Sequence, residues 1–196
     1  MRRFFFFLLI LTGTLAADPA TKTLTQAGVH LTYPSILHLS NGKKELQEMR
    51  DRGRDALKID KSKVAKQTSA QMVLTMKKFG APENPSMMLA VEYSEGTKLS
   101  GTEYARLNKQ KLEQKAPGVK VKPPSVVKLG ANRYVSMDYE MPTELGPMRV
   151  YGFFAFDSQR HRGYTFGIYD PTGSNLPMFK KILASATFEG GFVPAP

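Results

Sequence analysis

Three histidines supply all the imidazole chemistry in this 196-residue chain: His30 and His38, eight apart, and His161, set between Arg160 and Arg162. No HxH, HxxxH or HExxH spacing brings two of them to one metal, and the arginines beside His161 would repel a cation. Cysteine and tryptophan are absent. That removes thiol nucleophiles, thiolate metal centres, disulfides and cysteine-borne lipid anchors. Methionine is plentiful, and methionine clusters can hold soft copper outside the cytoplasm. The pairs Met72/Met76 and Met137/Met141 sit on strand-like stretches, where four residues separate side chains by ~13 Å, too far for one ion. Met87 and Met88 point to opposite faces, so core filling accounts for the methionines. Asp138 and Glu140 share one face of a strand about 7 Å apart, a separation a paired acid and base could use in hydrolysis. Ser136 lies on the same face, and a solvated strand face explains all three equally well. No GxSxG or SxxK frames a serine nucleophile. No residue is assigned as catalytic, and no metal or cofactor is expected.

Charge is the remaining chemical signal. Lys plus Arg number 28 against 17 Asp plus Glu, a net +11. Between Arg106 and Lys128 there are seven basic residues against Glu113 alone, and between Lys43 and Lys66 nine against five. Solvated helix faces would carry such runs. They would equally make a surface for an anionic partner, and the residues singled out for that surface are Lys109, Lys111, Lys115, Lys120 and Lys122. Aromatics fall mostly at buried strand positions, so no stacking platform for nucleic acid is expected.

The N-terminus speaks to location. Met1-Arg2-Arg3 is a short basic stretch, Phe4 to Leu11 is unbrokenly apolar, and Thr14-Leu15-Ala16 provides small residues before Ala17. This is the pattern of a secretory signal peptide over residues 1–16, cleaved after Ala16 or Ala17. Eight apolar residues span only about 12 Å as helix, too little for the ~30 Å hydrocarbon core. No later segment is long and apolar enough to span. The expectation is an exported protein, periplasmic or secreted, soluble and not lipid-anchored, with no nucleic-acid partner in vivo and no transmembrane segment once the signal is removed. The composition, 41% hydrophobic and 23% charged, is that of one globular domain. Its oligomeric state is left open.

The elements that would position these residues follow from periodicity. Residues 17–27 are polar, a loose arm or a first edge strand. Val29, Leu31 and Tyr33 alternate as a strand stopped by Pro34, and Leu46, Met49 and Ala56/Leu57 give a charged helix from Lys43. Residues 60–68 are a lysine-rich connection. In the strand-like runs over 70–79 and 87–94, Met72, Leu74 and Met76 share a face of the first, and Leu89, Val91 and Tyr93 share a face of the second. Ser100-Gly101-Thr102-Glu103 has the capping-box form ahead of a helix carrying Tyr104, Leu107, Lys111 and Leu112. Strands over 125–130, 133–141, 147–157 and 162–170 make an antiparallel meander. The third of these is apolar on both faces and needs layers above and below it. Ser174 would cap a last helix burying Leu176, Phe179, Ile182/Leu183 and Ala186, and the tail 190–196 reads as disordered.

This order resembles the PsbP-like superfamily, the α/β/α sandwiches of PsbP, Mog-type and DcrB-like proteins. The residues that carry the resemblance are GVHLTYP (28–34), LSGTEYARLNKQKLE (99–113), VVKLGANRYVSMDYEM (126–141), YTFGIYD (164–170) and FKKILASATF (179–188). It implies an α+β fold over residues 28–189, with a central, mostly antiparallel sheet of about six to seven strands flanked by helices. It also implies a non-enzymatic accessory or binding role, and it supplies no catalytic residues. The leading expectation is therefore a binding protein engaging an envelope protein or an anionic surface through its lysines. The second is a carrier of an apolar ligand in a cleft between sheet and helix, lined by Tyr151, Phe153 and Tyr169. The third is a hydrolase using Asp138 and Glu140.

Overall fold

In the computed structural model, which describes residues 20–56, 70–76, 84–94 and 96–196, the strands begin with a hairpin. Thr21–Gln26 (β1) and Val29–Pro34 (β2) are joined at Ala27 and Gly28, both with positive φ, as a two-residue turn of the right twist requires. The polar arm is thus an edge strand from residue 21 onward, while the expected signal peptide lies outside the described residues, as do Leu57 and the 60–68 connection. His38–Ser40 (β3), Lys43–Ala56 (α1), Ala70–Thr75 (β4) and Ser86–Tyr93 (β5) follow. Next come Gly101–Lys115 (α2), Lys120–Val121 (β6), Ser125–Leu129 (β7), Asn132–Thr143 (β8), Gly146–Asp157 (β9) and Arg162–Tyr169 (β10). Leu176–Ala184 (α3) and the two-residue Thr187–Phe188 (β11) close the order, followed by one 3-10 turn at Glu189–Gly191.

Eight strands form the large sheet, in the order β3-β4-β5-β10-β9-β8-β6 with β7 also on β8. Each strand pairing in it is antiparallel. β1, β2 and β11 make a second sheet of three, which the sequence reading did not anticipate. β9 is buried continuously from Val150 to Asp157, as its two apolar faces demand. Tyr151, Phe153 and Ala155 point to one side with Tyr134, Tyr164, Phe166 and Ile168. There Phe179, Ile182 and Leu183 of α3 and Val29, Leu31 and Phe188 of the small sheet cover them. On the other side Val135, Met137, Phe154 and Phe156 meet Tyr104 and Ala105 of α2. Leu46 and Met49, the expected inner positions of α1, are both buried. The result is an α+β sandwich.

Two expectations about ends are corrected. Ser174 does not cap α3. The residue before the helix is Asn175, whose backbone N–H donates to the buried Asp170 carboxylate at 2.7 Å. The tail expected to be disordered is packed on the body. Phe192 lies 6.2 Å from the Tyr164 ring, stacked, and meets Phe188 edge-on at 5.4 Å. Its ring completes the aromatic cluster that the glycines and prolines around it concealed in the sequence.

Candidate functional site

α2 begins as the sequence prescribes. The Ser100 hydroxyl accepts from the Glu103 N–H (3.2 Å) and the Glu103 carboxylate accepts from the Ser100 N–H (2.7 Å), satisfying two first-turn donors. Those bonds, the Ser100 backbone one foremost, hold the Glu103 carboxyl below its ordinary pKa. One turn in, the Tyr104 ring lies against Gly163 of β10 so closely that a Cβ there would overlap it. The Tyr104 hydroxyl shares a 3.0 Å hydrogen bond with Thr165, and burial pushes the phenol up to about 12. Beyond this anchor Arg106, Lys111 and Lys115 of α2 are exposed and Lys109 is half-buried.

The five lysines singled out do not form one continuous patch. Val121 packs on the Tyr104–Met137 side of the sheet. Strand alternation therefore sends Lys120 and Lys122 to the opposite side, toward Glu140 and Asp138. Three of the five are already in ion pairs: Lys109 with Glu113 (2.6 Å), Lys111 with Glu92 (3.1 Å) and Lys122 with Asp138 (3.7 Å). Lys115 and Lys120 have no ion pair among the described residues. Lys128 and Arg133 share that property and stand directly opposite each other on the β7–β8 hairpin, both exposed. Arg133 was missed. The two-residue turn Gly130-Ala131, which sets Leu129 against Asn132 and so Lys128 against Arg133, was the available signal.

The other candidates are placed differently from expectation. Asp138 and Glu140 share a face as predicted, but Asp138 is clamped by Arg149 (3.3 Å) as well as Lys122, an ion-pair role. Tyr151, Phe153 and Tyr169 cannot line one cleft. Tyr151 stands opposite Ile168, so Tyr169, the next residue along β10, points to the other face of the sheet. Phe153 is core, edge-on to Tyr134 at 6.4 Å, and the Arg149 guanidinium covers the Tyr151 ring at 4.8 Å. His30 bonds Thr25 (2.7 Å) and His161 bonds the Thr97 carbonyl (2.8 Å). Among the described residues no group of three His, Asp or Glu is arranged to hold a metal, and no helix is long and apolar enough to cross a membrane. A cavity of about 470 Å³ lies elsewhere, lined by Leu99, Ser100, Phe156, Asp157, Gly191 and Phe192 among others.

No protein-family model and no curated protein matches this sequence. Solved structures do match, and they define the class first: an antiparallel sheet sandwiched between layers. The solution structure of cyanobacterial PsbP (CyanoP) from Synechocystis sp. PCC 6803 superposes with a TM-score of 0.56 at 8% identity, over 88% of this chain and 95% of that one. The chain thus has the PsbP-like fold. LpqN of Mycobacterium tuberculosis, described as involved in cell envelope biogenesis, matches at a TM-score of 0.49 and 9% identity, over 87% of this chain and 91% of that one. That score is too low to bear on the argument.

Proposed function

We propose that this chain is an exported, non-enzymatic accessory protein that engages an anionic or protein partner of the cell envelope through basic residues of α2, β6 and β7, which flank the β8 edge of the large sheet on both of its faces. One observation carries the reading: cations without counter-ions are concentrated there. From Gly101 to Arg133 the chain has eight basic residues and two acidic ones. Arg106, Lys115, Lys120, Lys128 and Arg133 have no ion pair among the described residues. Unpaired surface cations contribute little to folding and attract polyanions over roughly a Debye length of 8–10 Å. The basic N-terminal stretch, apolar run and small residues of 1–16 support export.

Retention of the chain from Ala17 on its own envelope fraction, at about 50 and 300 mM salt, tests the reading. The expected result is retention at the lower salt, loss at the higher, and loss at both for Lys115→Glu with Lys120→Glu. Retention that ignores salt and both substitutions refutes it.

A further inference from the structure

β8 and β9 are paired from Val135↔Phe154 to Thr143↔Gly146. Beyond Val135 they part, because Phe156 and Asp157 stay with β10 while β8 continues back to Asn132. The edge of β8 facing that gap is taken by residues 192–196. The Arg133 N–H donates to the Pro194 carbonyl at 3.1 Å. Phe192 enters the Tyr164–Phe188 cluster and Pro194 is buried, while Val193 and Ala195 between and after them are exposed. That in-out-in-out pattern is how a sheet edge holds an added extended segment: backbone bonds supply hold, and alternate side chains supply choice.

The segment fills its seat incompletely. The 470 Å³ cavity lies between it and the residues Leu99–Gly101 and Phe156–Gln159. It leaves the body through Gly190 and Gly191, with φ of 66° and 71°, and nothing lies within 4 Å of where a Gly191 side chain would start. Beside the gap, on the same face of β8 as Val135, stand Lys128 and Arg133. Like charges directly opposed across two strands destabilise a sheet, and an acidic side chain arriving between them would reverse that.

We propose that the gap between β8 and β9 is a docking site for an extended segment of a partner protein. That segment carries an aromatic residue two positions before a proline, with acidic residues beyond, and it displaces residues 192–196. The inference rests on the anionic-partner reading for its charge and adds the form of the partner. Because residues 192–196 compete in cis at millimolar effective concentration, the acidic flank supplies the partner's advantage.

The probes are fluorescein-labelled peptides, GFVPAP and GFVPAP extended by three glutamates, titrated by anisotropy against the full chain at about 50 mM salt. Phe192→Ala in the full chain, checked for folding by circular dichroism, should bind both peptides at least about tenfold more tightly than the unsubstituted chain. The extended peptide should bind about tenfold more tightly than the plain one. Lys128→Glu with Arg133→Glu should erase that second difference and leave the first. A chain ending at Glu189 serves as a second variant should Phe192→Ala fail to fold. Equal binding with and without the Phe192 anchor, or no binding, overturns the docking site, and no gain from the glutamates overturns the acidic partner. Envelope retention is scored on Lys115→Glu with Lys120→Glu, and peptide binding on Phe192→Ala and on Lys128→Glu with Arg133→Glu, so failure of the envelope reading and failure of this one are separately visible.

Discussion

The two faces of the large sheet solve the same burial problem by different means. The α3 side is aromatic and dry: Tyr134, Tyr164, Phe166 and Phe179 are each essentially inaccessible, with ring contacts at 5.0–6.4 Å. Its polar atoms are answered by backbone, as when the Tyr134 hydroxyl donates to the Leu183 carbonyl. The α2 side rests on a cluster of six buried residues, one of them the tyrosine locked over a glycine, and it is rimmed by ion pairs. Large apolar area resists exchange, whereas a small core with a charged rim leaves the helix surface free to carry a partner. The larger share of the stability resides beneath α3, and the α2 surface is left available for recognition.

A graded set of substitutions tests that contrast, in descending order of effect. Phe166→Ala, beneath α3, should cost about 3–5 kcal/mol in chemical denaturation, and Phe154→Ala, beneath α2, should fall at or below the low end of that range. The reverse order would break the contrast. Gly163→Ala should cost about 1–3 kcal/mol by overpacking against Tyr104. Combined with Tyr104→Ala, its cost should be markedly less than additive, which a double-mutant cycle reads directly.

Ser100→Ala should cost about 1 kcal/mol through the lost cap. The companion Glu103→Ala carries a sign in pH. Because the folded carboxyl sits below its ordinary value of 4.5, its contribution is present above that pH and is lost as pH falls through the folded pKa. The gap between Glu103→Ala and the unsubstituted chain should therefore close in acid. Smallest of all, Lys111→Ala should cost less than about 1 kcal/mol, since its partner Glu92 is also partly exposed. A larger loss would mean that the rim stabilises the helix rather than leaving it available.

What was legible in the sequence was local or periodic. The capping box at Ser100 and Glu103 needs only four residues, and the two apolar faces of β9 need only parity, so both were read correctly. The failures needed partners far along the chain. Which face Tyr169 takes relative to Tyr151 depends on the β9–β10 register, set by the turn at 158–161 rather than by either residue. β11 is two residues long and exists because β2 presents His30 and Val29 to it. Phe192 was hidden among glycines and prolines, and only the packed aromatic cluster gives it a place. The lysines were found, but their pairing with Glu92 and Asp138 is set by the fold, so the unpaired set moved toward Lys128 and Arg133.

The joining of β2 to β11 has a consequence for how the chain reaches this state. His30 meets Thr187, and Glu189 donates its N–H to the Gly28 carbonyl at 2.8 Å, so the small sheet is fastened by contacts between nearly opposite ends of the domain. Each hairpin of the meander can form from neighbours in the chain, but this fastening must wait until residue 187 has emerged and travelled back. Contacts of such separation slow folding. The β2–β11 pairing should thus be the last to gain protection in pulse-labelled hydrogen exchange, and an emerging chain would keep its first strands unlocked until its last ones arrive.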